Sequence, residues 1–272
     1  MNDTQTLPGL DALTPTLCDL LEISPPAICD AAPLKAVTAA ARAGFGGLPL
    51  ERVLIYAPDA LGRCFIERHA GFFESTRKLA SQIALVRAPF PPKTPVCFAS
   101  MFTGTTPERH GIMAPVRPVL KCDTFFDALV RAGKRVAMVA VEGSSCDLIF
   151  RERAMAYYAE RYDAEVTSRT LALLAADAAD VVVAYHQEYD DLLHKTTPGG
   201  PEALAAAARH ARTYGEFAAA AAFAWRRFNH AVIFAPDHGA HFDPDTGKGS
   251  HGNDHPFDRE VLHFYRFVKR TP

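Results

Sequence analysis

With 272 residues, 49% of them hydrophobic and 22% charged, the chain has the composition of an ordinary globule and the length to bury a substantial core. A formal net charge of −2 excludes a global pull toward nucleic acid polymers and leaves only local basic groups to hold an anionic substrate. No apolar run reaches the roughly 20 residues of a membrane span, so no membrane association is expected.

The first residues, Met1 to Leu10, are polar, carry Asp3 and have no basic n-region, so no signal peptide is expected and the expected compartment is the cytoplasm. The six cysteines (Cys18, Cys29, Cys64, Cys97, Cys122 and Cys146) contain no C-x-x-C pair and are read as free thiols. Residues 1–50 are rich in Pro and Ala, with one helix expected around Leu34 to Arg42. They read as an extension wrapping the core of a single α/β domain over residues 1–272.

From Arg52 onward, apolar runs alternate with helical patterns. Strands are predicted over 52–57, 82–87, 135–141, 180–185, 230–235 and 261–268. Helices are predicted over about 64–79, 95–102, 123–132, 165–178 and 201–228. Asp123-Thr124 before Phe125-Phe126 reads as a helix start and Gly133 as its stop. The Ala-rich stretch from Ala203 to Ala224, broken by Arg209, His210, Arg212 and Glu216, reads as a long soluble helix. Nearly continuous apolar strands imply a sheet buried on both faces. Alternating strand and helix imply a mostly parallel central sheet with helices on both faces. Ligands of such sheets gather at the carboxyl ends of the strands.

The candidate ligands fall at those ends. Asp59 follows Val53-Leu54-Ile55-Tyr56. Asp190 and His194 follow Val181-Val182-Val183-Ala184-Tyr185, and on a helical turn their spacing places both on one face. Asp237-His238-Gly239 follows Val232-Ile233-Phe234-Ala235, where Gly239 permits the turn that aims both side chains inward. His251 lies between glycines in Gly249-Ser250-His251-Gly252. His241 and His255 read as surface or supporting groups. Thr94, before Pro95, reads either as a plain helix cap or as a nucleophile in the positive field of a helix N-terminus, and the two readings are compatible. Carboxylates and imidazoles converging from four segments point to a two-metal hydrolase.

As a set, these residues resemble the alkaline phosphatase superfamily, in particular its nucleotide pyrophosphatase/phosphodiesterase branch. The resemblance rests on Lys93-Thr94-Pro95, Thr103-Gly104 and Pro107-Glu108-Arg109-His110-Gly111-Ile112. It also rests on Asp190 with His194, on Asp237-His238-Gly239 and on His251-Gly252, all in the order of the family, and it covers roughly residues 52 to 268. It implies an alkaline-phosphatase-like core and two divalent ions, zinc by family. One ion would be held by Asp190, His194 and His251, the other by Asp59, Asp237, His238 and the Thr94 oxygen. It further implies attack by Thr94 on phosphorus, a phospho-threonine, and release of phosphate by water.

Three departures stand out. The phosphate-binding Asn of the branch is replaced by Pro115, so Lys93 and Arg117 become the candidates for holding the substrate's phosphoryl group. Pro95 removes a backbone N–H beside the nucleophile. The span between His194 and Asp237 is short, leaving room for little or no cap domain. The expected partner is a small phosphorylated substrate, with oligomeric state left open. A sulfatase would need Cys or Ser at position 94, and a phosphoglycerate mutase would need Ser and a large inserted domain. The alternatives left standing are a phosphomonoesterase, a hydrolase of the phosphonoacetate type and a non-catalytic metal-binding member.

Overall fold

In the computed structural model, which describes residues 7–271, the apolar run at Arg52 forms the middle strand of a seven-stranded sheet. In chain order the strands are β1 (Arg52–Pro58), β2 (Gln82–Arg87), β3 (Val136–Val141), β4 (Ala156–Glu160), β5 (Val181–His186) and β6 (His230–Phe234). A two-stranded hairpin follows, β7 (His241–Asp243) and β8 (Lys248–Ser250), and then β9 (Glu260–Val268). The sheet order is β2-β9-β6-β1-β5-β3-β4. β9 runs antiparallel to both of its neighbours, β2 and β6, and the other pairings of this sheet are parallel.

Alternation along β1 divides the interior. Val53, Ile55 and Ala57 enter one hydrophobic cluster, with Leu17 and Leu21 of the Leu13–Leu21 helix and Phe98 and Phe102 of the Thr94–Thr103 helix. Leu54 and Tyr56 enter the other, with Leu173 and Leu174 of the Asp163–Ala175 helix and the Ala-rich helix Pro201–Ala224. Period-two strands thus feed helices on both faces, the α/β architecture expected from the sequence. Among the described residues no helix is long and apolar enough to cross a membrane.

Several boundaries differ from expectation for local reasons. The helix expected over 64–79 is two, Arg63–Arg68 and Glu74–Leu79. The chain turns at His69–Gly71, with Phe73 N–H bonding the Ala70 carbonyl and the Phe73 ring fully buried. Strand β4 was not expected, because Ala156-Tyr157-Tyr158-Ala159-Glu160 lies at the sheet edge and carries no apolar run. Thr124 does cap the Phe125–Arg131 helix, in a reciprocal capping box with Asp127.

Residues before β1 contribute side chains to the core: Leu10, Leu13 and Leu17 are buried with Val53 and Ile55. The Leu13–Leu21 helix among them had no sequence expectation. Asp30 fastens this segment to the Thr103–Ile112 motif, accepting from Thr105 Oγ1 and pairing with Arg109. The Asp30 and Ala31 N–H groups both donate to the Gly104 carbonyl.

Candidate metal centre

Strands β5, β1 and β6 are adjacent and parallel, so their carboxyl ends open on one edge. Asp59 follows β1 directly, Asp237 and His238 lie just past β6, and Asp190 and His194 sit on the Glu188–Lys195 helix after β5. The β7/β8 hairpin turns the chain back and delivers His251 to the same edge. Gly249 makes that possible, because a Cβ there would lie 2.6 Å from the Leu193 carbonyl oxygen of the helix that carries Asp190 and His194.

Two groups of ligand-type atoms result. Asp59, Asp237 and His238 offer one atom each, all within 4.8 Å of one another, and so do Asp190, His194 and His251. His238 Nε2 is 3.3 Å from Asp59 Oδ1 and 3.4 Å from Asp237 Oδ2. Asp190 Oδ1 is 3.3 Å from His194 Nε2 and 3.6 Å from His251 Nε2. Thr94 is the first residue of its helix, with Lys93 at the cap position, and its hydroxyl faces the ligand-type atoms. It lies 3.3 Å from Asp59 Oδ2 and 3.3 Å from His238 Nε2.

The three imidazoles are oriented alike. His238 Nδ1 faces the Gly239 carbonyl at 3.0 Å, His194 Nδ1 the Gly249 carbonyl at 3.0 Å and His251 Nδ1 the Pro92 carbonyl at 2.8 Å. A carbonyl only accepts, so each neutral ring carries its proton on Nδ1 and turns the Nε2 lone pair toward the carboxylates. Burial keeps two rings neutral, holding His238 down to about 3 and His251 well below the usual histidine range.

The carboxylates complete the donor set. Asp59 Oδ1, Asp237 Oδ2 and Asp190 Oδ1 are buried without a hydrogen-bond partner. Burial pushes the Asp59 and Asp237 carboxyls upward, helped in both by the Asp190 charge and in Asp59 also by Asp237. Orphaned buried oxygens beside three Nε2 lone pairs are what divalent cations would satisfy, so the donors fit the metals that the sequence resemblance implies.

The remaining candidates are placed as follows. Lys93 Nζ donates to the His251 carbonyl oxygen. Arg117 lies on an exposed loop with Pro115, its guanidinium bonded to the Gly143 carbonyl at 2.6 Å. His241 bonds Asp258 at 2.7 Å and His255 caps the Pro256–Arg259 turn, so neither joins a ligand group. All six cysteines are free.

Sequence reading missed three supports. Tyr185, next to last in β5, donates to Asp59 Oδ2. Gly62 and Gly239 touch backbone to backbone, which sets the loop after β1 against the loop after β6. Asp258 Oδ2 accepts from Gly252 and Asn253 N–H and fixes the turn after His251.

Helices on both faces of this sheet, with acidic and imidazole groups along the carboxyl edge, define an alkaline-phosphatase-like core. A family model for type I phosphodiesterase / nucleotide pyrophosphatase matches residues 53–255, and the chain belongs to that family. Phosphonoacetate hydrolase from Sinorhizobium meliloti 1021, solved with phosphonoformate, is similar with a TM-score of 0.55 at 19% identity, over 74% of this chain and 60% of that one. Murine ectonucleotide pyrophosphatase / phosphodiesterase 5 is similar with a TM-score of 0.58 at 19% identity, over 72% of this chain and 59% of that one. An inactive form of the murine protein, with a threonine replaced by alanine, is similar with a TM-score of 0.59 and is in complex with AMP. The chain therefore spans about three fifths of the length of these structures. No curated protein matches it in sequence.

Proposed function

We propose that the chain is a metal-dependent hydrolase of phosphodiester or phosphonate bonds in small substrates, with Thr94 as its nucleophile. The observation that carries this reading is the Thr94 hydroxyl, held 3.3 Å from both Asp59 and His238 at the start of a helix. Asp59, Asp237, His238 and the Thr94 oxygen suit one divalent ion, and Asp190, His194 and His251 suit a second. The mixed nitrogen and oxygen set fits zinc, with manganese or iron close behind. Bound there, such ions would stabilise negative charge on a transferring phosphoryl group and acidify hydroxyl groups in contact with them.

Thr94 gives up its hydroxyl proton to solvent as its oxygen attacks phosphorus, and the helix N-terminus favours the negative charge that develops at that oxygen. The bond from phosphorus to the leaving group breaks, and the leaving group departs with a proton from solvent. Water then cleaves the phospho-threonine and restores the hydroxyl. The Lys93 ammonium, anchored by one donor to the His251 carbonyl, has two more donors for a phosphoryl oxygen. The inactive threonine-to-alanine form of the murine neighbour supports the choice of nucleophile.

A second reading, cleavage of a carbon–phosphorus bond, is supported by the likeness to phosphonoacetate hydrolase. One panel tests both on zinc-loaded protein beside Thr94→Ala: p-nitrophenyl phosphate, bis-p-nitrophenyl phosphate, a p-nitrophenyl phenylphosphonate and phosphonoacetate. Ester turnover that falls by at least about a thousandfold in the variant, with metal content unchanged, is the expected result, a loss in the range seen when a catalytic nucleophile is removed. Phosphonoacetate cleavage alone would favour the second reading. No turnover by protein holding two ions would overturn both in favour of a non-catalytic metal-binding chain.

A further inference from the structure

A third group has ligand-type residues in ligand-type proximity. Asp163, His186 and His210 offer atoms within 4.8 Å of one another, all three side chains are buried, and none is among the residues that carry the sequence resemblance. Residue type alone would make this another metal site. The hydrogen bonds argue otherwise.

His210 Nε2 accepts the Tyr189 N–H at 3.3 Å, so its proton sits on Nδ1, which faces Tyr56 Oη at 2.8 Å. Tyr56 must then donate its own proton to His186 Nδ1, 3.0 Å away. That leaves the His186 proton on Nε2, directed at Thr167 Oγ1 at 3.2 Å, and Thr167 donates to the Asp163 carbonyl at 3.0 Å. One placement of protons satisfies five bonds in series. No lone pair on either ring is left for a metal. None of these side-chain atoms is among the buried unpartnered ones, where Asp59, Asp237 and Asp190 each have one. Burial also keeps both rings neutral, with His210 held at about 3 and His186 well below its ordinary value.

The network ends on a helix that matters. Asp163 Oδ1 accepts the Gln187 N–H at 3.0 Å and Oδ2 accepts the Glu188 N–H at 3.0 Å. With the Tyr189 N–H on His210, three successive amides at the start of the Glu188–Lys195 helix are satisfied from outside it. Amides at that position have no partner within their own helix. The same helix carries Asp190 and His194.

We infer that Asp163, His210, Tyr56 and His186 are positioning residues: they cap the Glu188–Lys195 helix and set where Asp190 and His194 stand, and they hold no metal of their own. The inference rests on the proposed assignment of Asp190 and His194 as metal ligands.

The test uses the full chain with zinc. Zinc per chain is measured by elemental analysis, zinc affinity by competition with a chromogenic chelator, and the Gln187, Glu188 and Tyr189 amides by hydrogen exchange. Wild type should hold two ions. Asp163→Ala should bind one of them as tightly as before and the other about 10–100-fold more weakly, the range for groups that orient ligands. Its three amides should exchange faster while those of β5 stay protected. His210→Gln, whose amide oxygen can still accept from Tyr189, should keep the second ion, and His210→Leu should not. If Asp163→Ala does not fold, Asp163→Asn serves, since it keeps one acceptor and should release one amide.

Three ions in wild type, with one lost in His186→Ala, would overturn the inference. So would unchanged affinity with protected amides in Asp163→Ala, or loss of both ions together, which is what general destabilisation would give. A wild type that binds no zinc would sink the metal assignment and, with it, the ligand-positioning role; the amides would then show whether the cap exists.

Discussion

His238 and His251 stack with ring centroids 4.0 Å apart and planes 21° apart, although they belong to different groups of ligand-type residues. Two imidazolium ions would repel each other in such a stack, and burial lowers the pKa of both rings and so favours their neutral forms. The stack makes one wall common to the two groups while leaving each its own carboxylates. Occupancy of one group should therefore survive loss of the other. Asp190→Ala should lower metal content by about one ion per chain and abolish turnover, as counted by elemental analysis. Unchanged stoichiometry would refute the assignment of Asp190.

Tyr185→Phe isolates a support that the ligands themselves do not reveal. The ring packs edge-on against Phe98 at 5.4 Å, and phenylalanine keeps that contact. Only the donor to Asp59 Oδ2 is lost. Zinc affinity at the Asp59 group should drop about 10–100-fold, with the metal-free protein's stability changed by about 1 kcal/mol. A chelator competition titration beside urea unfolding checks both. An affinity equal to wild type would show that Tyr185 serves only packing.

Gly239→Ala tests the contact that joins two ligand loops. A Cβ at Gly239 would collide with the Phe257 carbonyl oxygen and lie 2.8 Å from Gly62 Cα, and neither backbone atom can swing aside as a side-chain tip can. The expected cost is about 1–3 kcal/mol, the usual range for forced overpacking, with weakened metal binding because His238 must shift. Gly215→Ala is the control. It lies within the Pro201–Ala224 helix with nothing within 4 Å of the new methyl, so it should stabilise by up to about 1 kcal/mol. Equal denaturation midpoints for the two variants would defeat the close-approach argument.

Strand ends were legible because buried apolar runs are long and uninterrupted, and this alone places Asp59, Asp190 and Asp237 at one edge of the sheet. Thr94 was less so. A hydroxyl before proline has two uses, and only the fold shows its side chain on Asp59 and His238 instead of on its own helix. The supporting groups were illegible for a different reason. Tyr185, Asp163 and His210 act on partners that strand pairing and helix packing bring near, and no local spacing encodes that. The Leu13–Leu21 helix was hidden because Pro15 and the surrounding prolines suggest loop, whereas Pro15 occupies a first-turn position that proline tolerates.

His110 gives a pH test away from the candidate ligands. Its Nδ1 accepts the Ile112 N–H at 3.2 Å, and its Nε2 faces Ser100 Oγ at 2.9 Å, so the folded protein requires the neutral ring. Burial holds its pKa at about 4, below the ordinary 6.5. In acid the unfolded chain therefore takes up this proton first. The contribution of His110 is complete above pH 6.5 and is lost as pH falls toward 4, with a slope approaching about 1.4 kcal/mol per pH unit. In His110→Asn the amide oxygen can accept from Ile112 and nothing titrates. Urea unfolding of both proteins between about pH 7 and pH 4.5 should show wild type losing stability relative to the variant as pH drops. The other buried histidines contribute equally to the two curves and cancel. Parallel curves would mean that His110 takes up its proton equally in the folded and unfolded chains, and that the Ile112 bond does not hold the ring neutral.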